Sequence, residues 1–511
     1  MGYKEILLKL STDYSEEQFR QIIAKELNIT EFSYQIKRKS LDARRKYDIH
    51  WQILVSVFSK QIKGDTPPAA AALDIPYQER AKKVVVVGSG PAGFFSAFVL
   101  QKAGFNTTLI ERGSDVKKRA DGIKEFEKTG LFNSLNNYAF GEGGAGTFSD
   151  GKLTSRSKHI TSERKFILDA YISAGAPNEI GYMAHPHLGS DNLKKIVIKL
   201  REEFLNIGGK IFFETLLEDL KIENNRVSAA ITTSGEIEAD HFIIAPGHSA
   251  YETYRMLIKK GIKFRTKNFA LGSRVEHLQE IVNNAQWGQR SLSGVKAAEY
   301  RLVSKGNGHL PVYTFCMCPG GSIIPASAYK DVSVVNGMSS YSRNGKFANS
   351  ACVAGINLDK LLGKQVLPLE ALDWVENLER KFYQHSGGFN VPFCGIGEFI
   401  NKKIGVNTVE TSYPLGLKSA PLWDLLPFEI SDSIREGLKD FSRKIKGFQT
   451  GIILGLDSKS SSPIQVLRGE DCLCDGFENI YLAGEGSGYS GGIISSAADG
   501  IKAARAIIGK D

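Results

Sequence analysis

The stretch KKVVVVGSGPAGFFSAFVLQKAGFNTTLIERG, residues 82–113, decides the fold of this chain. Its four consecutive valines, Val84 to Val87, are typical of a strand that is buried on both faces of a parallel sheet. A G-x-G-x-x-G pattern follows the valines, and the apolar stretch from Pro91 to Ala103 predicts a helix. TTLIE predicts a second strand that ends in Glu111. This order of elements predicts a Rossmann-like α/β unit.

Each glycine of the pattern has a physical role in holding a dinucleotide. Gly88 permits the tight turn, Gly90 lets the backbone approach a pyrophosphate, and Gly93 lets helix and strand pack closely. The N-terminus of the helix stabilises the diphosphate charge, and Glu111 can accept a hydrogen bond from a ribose hydroxyl. The sequence therefore predicts a bound dinucleotide.

A second glycine-rich segment, GEGGAG, begins at Gly141 and has the same formal pattern. It follows NNYAF rather than a strand, and no apolar helix comes after it. We therefore do not expect a second nucleotide-binding unit. Five glycines within residues 141–151 instead predict a loop whose backbone lies against something flat or anionic.

Composition and charge describe an ordinary globular protein with one basic segment. The 511 residues carry a net charge of +9, and no stretch is long and apolar enough to span a membrane. The six cysteines make no disulfide framework, and their Cys-x-Cys spacing does not suit zinc, so we expect a cytoplasmic protein without a metal. Residues 37–46 hold six basic side chains. This segment is either the solvated face of a hairpin or a docking patch for an acidic partner.

Two later segments indicate which dinucleotide is bound. FIIAPG, which ends at Gly247, predicts a strand returning to the nucleotide sheet, and NIYLAGEG predicts another strand followed by an acidic turn. Together with GSGPAG and ER, these segments resemble the three FAD-binding motifs of the glutathione-reductase-like flavoprotein superfamily. More closely, the chain resembles a family of bacterial FAD-dependent dehydrogenases of unassigned substrate, through AFGEGGAGTFSDGKL, HPHLGSDNL, TFCMCPGG, VNGMS, ANSA, SSSPIQVLRG and AGEGSGYSGGI.

The resemblance implies a set of FAD contacts. The pyrophosphate would lie on the first glycine turn, the adenosine ribose beside Glu111 and Arg112, and the flavin along the second glycine loop. Glu485, which is usually Asp in the wider superfamily, would reach the ribityl chain. The implied cofactor residues are Gly88, Ser89, Gly90, Ala92, Gly93, Glu111, Arg112, Gly143, Gly144, Ala145, Gly146, Thr147, Gly247, Gly484, Glu485, Gly491, Gly492 and Ile493.

The predicted fold class is α/β, with a Rossmann-like FAD-binding domain, a discontinuous α+β substrate or cap domain and a small N-terminal β-α-β-β module. The expected divisions are an N-terminal module at 1–63, a linker at 64–79, the FAD-binding domain at 80–264 and 456–511, and the substrate domain at 265–455. No second strand–turn–helix fingerprint occurs between 250 and 470, which argues against a dedicated NAD domain. NADH or NADPH remains an option as a diffusible electron donor.

Several polar residues are candidates for chemistry beside the flavin. His185 and His187 precede a predicted helix and could act as acid or base, or only shape the loop. Asp150 and Lys152 follow the glycine loop. Further candidates, each with a structural alternative, are Arg274 and Arg343 as carboxylate or phosphate clamps and Cys316 with Cys318 as a redox pair.

The leading hypothesis is an FAD-dependent oxidoreductase that transfers a hydride through flavin N5 to or from a small molecule. One alternative is a flavin-dependent binding or sensor protein without turnover. A second is an FAD-dependent enzyme that modifies RNA, which the basic segment favours. Because the β-α-β-β module lacks the aromatic sheet signature of common RNA-binding folds, a nucleic-acid partner is ranked last. The oligomeric state is left open.

Overall fold

The computed structural model describes residues 2–64, 72–155, 157, 159–306, 308–405 and 408–511. Part of the predicted linker at 64–79 therefore lies outside the described residues. Residues 72–79 contain no helix or strand. None of the described helices is long and apolar enough to cross a membrane.

The N-terminal module has the predicted β-α-β-β order. Its strands form an antiparallel sheet in the order β1-β3-β2, and Phe19 and Ile23 of the helix are buried against that sheet. Ser15 and Gln18 close the helix start as a capping box. The elements are β1 (Gly2–Leu10), α1 (Glu16–Leu27), β2 (Ser33–Asp42) and β3 (His50–Ser59).

The basic segment of this module is partly engaged with its own residues. Lys39 is half-buried, with its ammonium 4.8 Å from the ring centre of Tyr14 and 4.5 Å from that of Trp51. Arg44 forms an ion pair with Asp42 at 2.5 Å. Lys39 is thus turned toward its own module, whereas Arg44 stays exposed beside Asp42, and the docking patch stays a prediction.

The next part of the chain builds the nucleotide sheet and the elements around it. The elements are β4 (Lys83–Val87), α2 (Pro91–Lys102), β5 (Asn106–Ile110), α3 (Val116–Thr129), α4 (Thr161–Ser173), α5 (Gly189–Asn206), β6 (Lys210–Phe212), β7 (Leu217–Glu223), β8 (Arg226–Thr232), β9 (Gly235–Glu238), β10 (His241–Ile244) and α6 (Tyr251–Lys259). Strands β7, β8 and β9 form a separate antiparallel meander.

The remaining elements form the third part and return to the first sheet. They are β11 (Phe264–Thr266), β12 (Phe269–Leu278), α7 (Gln279–Trp287), β13 (Val303–Ser304), β14 (Val312–Cys318), β15 (Gly321–Pro325), β16 (Val335–Ser339), β17 (Phe347–Ile356), α8 (Leu358–Leu362), α9 (Pro368–Ser386), β18 (Val391–Gly395), α10 (Ile396–Asn401), β19 (Leu417–Ser419), α11 (Leu422–Leu425), α12 (Phe428–Lys444), β20 (Ile452–Asp457), β21 (Ile464–Val466), β22 (Ile480–Leu482) and α13 (Ile493–Ile508).

The nucleotide sheet is parallel and has the strand order β22-β10-β4-β5-β6. Val84 to Val87 are all buried at its centre. The pairing of β10 with β4 confirms the return predicted from FIIAPG, and β22 confirms the strand predicted from NIYLAG and pairs with β10. Helices α2 and α13 lie together against the sheet. The carboxyl ends of these strands are where an open α/β sheet binds its ligand.

The second large layer is a seven-stranded sheet in the order β13-β14-β17-β12-β20-β18-β19. Its longest pairing is antiparallel, between β12 and β17, and runs from Phe269 opposite Ile356 to Leu278 opposite Phe347. Helix α12 covers this sheet with Ile434, Leu438 and Phe441 buried. Strand β14 of this sheet contains Phe315, Cys316 and Cys318, which line the same cleft as Gly88 and Gly90. The mixed α/β architecture confirms the predicted fold class.

Candidate active site

The first glycine turn has no room for side chains. Gly88 has φ +95°, and a Cβ there would lie 2.3 Å from the Ala245 carbonyl oxygen. A Cβ on Gly93 would lie 1.8 Å from the carbonyl oxygen of Gly88. Gly90 is the N-cap of α2 without a side-chain cap, so the first N–H groups of this helix are left for a ligand anion.

The second glycine loop lies directly against the first turn. The Gly143 N–H donates to the Ser89 carbonyl oxygen at 3.1 Å, and a Cβ on Gly144 would lie 2.9 Å from the Cα of Gly90. The two backbones therefore form one continuous glycine surface, and a contact of this loop with a flat or anionic ligand stays a prediction.

Arg119, on α3, holds that loop from behind. Its side chain is fully buried, and its guanidinium donates to the carbonyl oxygens of Asn137, Tyr138, Glu142 and Gly144 at 2.8–2.9 Å. Burial lowers the pKa of Arg119 to about 10, so the group remains charged at neutral pH. The sequence reasoning missed this residue because KKRADG reads as an ordinary charged helix face.

Glu111 joins the two glycine segments. One carboxylate oxygen accepts from the N–H and the hydroxyl of Ser89, and the other accepts from the N–H groups of Gly113 and Gly141, at 2.8–3.0 Å. These bonds use the four acceptor positions of an ionised carboxylate. Arg112 lies 3.8 Å from the ring centre of Phe140. A contact between Glu111 and a ribose stays a prediction.

The C-terminal loop brings the third motif to the same place. Gly484 donates its N–H to Asp499 at 2.8 Å, and Arg468 holds Asp499 at 2.7 Å. Glu485 lies 3.7 Å from Nδ1 of His248. The Nε2 atom of His248 is buried without a hydrogen-bond partner among the described residues. His248, which directly follows Gly247, is a cofactor candidate that the sequence reasoning missed.

These segments line a cleft with an internal volume of about 290 Å³, here called the cofactor cleft, that runs from the first glycine turn to the seven-stranded sheet. A glycine surface, an uncapped helix N-terminus and the unpartnered His248 nitrogen suit a large anionic dinucleotide, so the residues present fit FAD. Predicted residues lining it are Gly88, Gly90, Ala92, Glu111, Arg112, Gly144, Ala145, Gly146, Gly247, Gly484, Glu485, Gly492 and Ile493.

The other predicted cofactor residues lie beside this cleft. Ser89, Gly143 and Thr147 face a neighbouring apolar cavity, Gly93 packs on the first turn, and Gly491 lies near Glu485. Their contacts with FAD stay predictions.

The deep end of the cofactor cleft contains a buried ion cluster. Arg343 donates to both oxygens of Asp150 at 2.5 and 3.0 Å, and the Lys152 ammonium lies 2.8 Å from the same carboxylate. Burial acts to raise the pKa of Asp150, but Lys152 and Arg343 outweigh it and hold this pKa well below its usual range. Burial acts to lower the pKa of Lys152, and Asp150 more than offsets it. Lys152 is therefore a cation that lines the cleft.

The two candidate histidines lie outside the residues that line this cleft. His187 is buried and donates from Nε2 to the Tyr341 carbonyl oxygen at 3.1 Å. Burial, followed by the charge of Arg343, lowers the pKa of His187 to about 4, so the ring is neutral at neutral pH. His185 is exposed, 3.4 Å from Arg301. An acid or base role for either stays a prediction.

Arg274 is fully buried, which corrects its prediction as a substrate clamp. Its guanidinium donates to Asn349 at 2.8 Å, to Asn336 at 3.1 Å, to Asp457 at 2.9 Å and to the Cys316 carbonyl oxygen at 2.7 Å. All three of its nitrogens are thus engaged with the protein. Arg274 fixes the seven-stranded sheet to the segment that lines the cleft.

Three protein families match separate parts of the chain. Residues 81–250 match an FAD binding domain, and residues 268–460 match a family described as FAD-dependent protein, C-terminal domain-like. Residues 3–58 match a domain of unknown function (DUF8436). These matches place the chain among the FAD-dependent flavoproteins, whose cofactor carries out oxidation and reduction.

The chain is also 35% identical to an uncharacterized protein of Clostridium beijerinckii, over 98% of both chains. At this identity and coverage, it belongs to the same family as that clostridial protein.

The chain also shows a distant similarity to three solved structures. The flavin-dependent brominase Bmp2 is 14% identical with a TM-score of 0.38, over 84% of this chain and 79% of that chain. L-proline dehydrogenase from P. horikoshii is 13% identical with a TM-score of 0.35, over 85% and 95%. Glycine oxidase from Bacillus cereus is 13% identical with a TM-score of 0.33, over 84% and 96%.

Proposed function

We propose that this protein is a dehydrogenase or reductase that binds a small molecule at the deep end of the cofactor cleft. The observation that supports this proposal is the continuity of the cleft, from the glycine surface at Gly88 to the ion cluster at Lys152. When bound, FAD supplies two-electron chemistry, and we propose hydride transfer at its N5 atom. We also propose that this protein belongs to the bacterial FAD-dependent dehydrogenases of the glutathione-reductase-like superfamily.

The residues of the ion cluster have distinct tasks in this proposal. Lys152 keeps its proton at neutral pH, and its ammonium orients an electron-rich oxygen of the substrate. Asp150 holds Lys152 in place and is not itself a base, because Arg343 and Lys152 occupy its oxygens. A negative charge that develops on the substrate is stabilised by an ammonium whose position is already fixed.

A two-stage experiment tests the function. We expect the purified protein to be yellow, or to become yellow with added FAD, and to bleach anaerobically with NADH, NADPH or an oxidisable substrate from a metabolite panel. Sustained turnover with a second substrate would then separate an enzyme from a flavin-dependent sensor. Failure to take up FAD would overturn the proposal.

A substitution tests the role of Lys152. We expect Lys152→Met to lower the rate of flavin reduction or reoxidation by the substrate about 100-fold, because a positioned charge is lost. The FAD affinity of Lys152→Met should stay within about threefold of the wild type. The control is Lys199→Met, at an exposed position of α5, and both its rate and its FAD affinity should stay within about threefold of the wild type. An unchanged rate in Lys152→Met would refute this role.

We also infer a cytoplasmic location, since all six cysteines are free thiols.

A further inference from the structure

A bulge in β14 places a cysteine in the cofactor cleft. Phe315 pairs with Ala351 and Cys318 with Asn349, so β14 has two residues where β17 has one. Cys316 lies in this bulge with φ +42°, in the left-handed region that favours glycine. Bulges of this kind often re-aim a side chain beside an active site. Here Cys316 is exposed, whereas the next residue, Met317, is buried.

The second cysteine of the pair lies on the same wall. Cys318 also lines the cofactor cleft, and its Sγ donates to the Cys316 carbonyl oxygen at 3.3 Å. Both cysteines therefore line the cleft beside Lys152, whose ammonium donates to the carbonyl oxygen of Met317 between them. Strained backbone conformations such as that of Cys316 persist only where the surrounding structure holds them, and they are common at functional sites.

Two cations hold the bulge in this shape. Arg274 donates to the Cys316 carbonyl oxygen at 2.7 Å, and Lys152 donates to the Met317 carbonyl oxygen. Burial raises the pKa of the Cys318 thiol, whereas the charges of Arg274 and Lys152 act to lower it. These two charges offset burial only in part, and burial also raises the pKa of the Cys316 thiol to about 12, so both cysteines are protonated thiols at neutral pH.

We propose that Cys316 and Cys318 are a redox-active dithiol pair that exchanges two electrons with bound FAD, an inference that rests on the proposed function. In the oxidising direction two S–H bonds break and one Sγ–Sγ bond forms, while FAD takes up the two electrons and the two protons. In the reverse direction reduced FAD returns them and the disulfide opens. A disulfide across one intervening residue is strained, and strained disulfides are easily reduced.

The chain provides a matched control in its other Cys-x-Cys pair. Cys472 also has a positive φ, +69°, but Cys472 and Cys474 are buried and lie outside the residues that line the cofactor cleft. The two pairs share the spacing and the left-handed first cysteine. They differ in access to the cleft, so only the first pair should respond to the flavin.

Peptide mass spectrometry after flavin photoreduction tests the pair. The holoenzyme is oxidised with diamide, freed of it, and illuminated anaerobically with EDTA until the flavin absorbance bleaches. Samples taken before and after illumination are alkylated with iodoacetamide and digested. Before illumination, we expect the peptide that contains Cys316 and Cys318 to be unalkylated and two hydrogen masses lighter than its dithiol form. After illumination, we expect the same peptide to carry two alkyl groups.

The controls separate this inference from the proposed function. The diamide-oxidised apoprotein should keep its disulfide under the same light, Cys472→Ser should behave like the wild type, and Cys316→Ser should leave Cys318 open to alkylation throughout. A 316/318 disulfide that never forms, or that persists after the flavin bleaches, overturns the pair alone. A protein that takes up no FAD overturns both proposals.

Discussion

Arg119 shows how one buried side chain can determine the shape of a cofactor surface. Its guanidinium satisfies four backbone carbonyl groups of the loop that lies against the first glycine turn. Backbone acceptors that are buried without partners cost free energy, so Arg119 is a main support of this loop, beside Glu111, which accepts from the Gly141 N–H.

Replacing Arg119 by methionine removes all these donors at similar side-chain volume. We expect Arg119→Met to lower the free energy of unfolding by about 4 kcal/mol, since each unsatisfied buried acceptor costs about 1–3 kcal/mol. FAD affinity, measured by fluorescence titration, should fall at least about tenfold. Arg119→Lys keeps the charge but has fewer donors, and should give an intermediate result. Lys117→Met, at an exposed position of the same helix, should change neither quantity. Equal FAD affinity in all three variants would contradict this role for Arg119.

The buried carboxyl of Glu142, in the same loop, should make the stability of the folded protein depend on pH. It is buried, accepts from the Val116 N–H at 2.8 Å and lies 3.1 Å from Arg201. Burial raises the pKa of Glu142 to about 7 from 4.5. The folded state therefore binds this proton more tightly than the unfolded state. Its stabilising contribution is complete below pH 4.5 and is lost as the pH rises through about 7.

Glu142→Gln should remove that dependence. We expect its stability relative to the wild type to increase between about pH 5 and about pH 8, by on the order of 3 kcal/mol. Urea unfolding at both pH values measures the difference. Glu125→Gln, on the exposed face of α3, should show a constant difference. A constant difference in Glu142→Gln as well would show that the buried carboxyl does not bind the proton.

At the scale of elements, the crossing of α2 and α13 sets the position of the first glycine turn. A Cβ on Gly500 of α13 would lie 2.0 Å from the Ala92 carbonyl oxygen, in the first turn of α2. The two helices approach so closely because no side chain separates them. The N-terminus of α2, which we expect to face the pyrophosphate, therefore depends on a glycine that lies in the last helix.

Gly500→Ala should push the two helices apart. We expect a loss of about 2 kcal/mol in unfolding free energy, within the range for overpacked cores, together with weaker FAD binding. Gly509→Ala is the matched control, because its φ is −77° and its Cβ would lie 3.4 Å from the nearest atom, the Arg505 carbonyl oxygen. Thermal unfolding and FAD titration of both variants measure the effect. Equal stability of the two would rule out this close approach.

The two large sheets differ in how far they could be predicted from the sequence. The nucleotide sheet was predictable because a buried valine run, a glycine turn and an apolar helix are contiguous in residues 82–103. The pairing of β12 with β17 and β20 was not, because these strands are far apart in sequence and their local patterns do not encode a register. The bulge at Cys316 arises in the pairing of β14 with β17, which is also formed by strands that are not contiguous, so the sequence gives no sign of it.

At the scale of the whole molecule, the N-terminal module is attached to the rest by backbone pairing. Lys39 of β2 donates its N–H to Tyr182 at 2.8 Å and accepts from the Ala184 N–H at 2.9 Å. Met183, between these two residues, packs against the core of the module. The segment that follows contains His187, which forms an isolated bridge with Lys152. The module thus adjoins the wall of the cofactor cleft.

Met183→Asp should loosen this attachment. We expect faster hydrogen–deuterium exchange of the amides of Lys39 and Ala184, because a carboxylate cannot remain against the apolar core of the module. Exchange in β4 and β5 should not change. Ser173→Asp, at the exposed end of α4, serves as control. Unchanged exchange at both amides in Met183→Asp would show that packing of Met183 does not secure the module.

The order of the chain has a consequence for how the protein is made. Edge strand β22 (Ile480–Leu482) and Glu485 come late in the chain, although the sheet that they complete begins with β4 at Lys83. On the ribosome, the first glycine turn emerges long before the residues that close it, and the whole seven-stranded sheet is synthesised in between. Flavin capture must therefore wait until β22 and Glu485 have been synthesised. A chain interrupted by a stop codon between β20 and β22 would contain both glycine loops and the seven-stranded sheet and would still remain colourless.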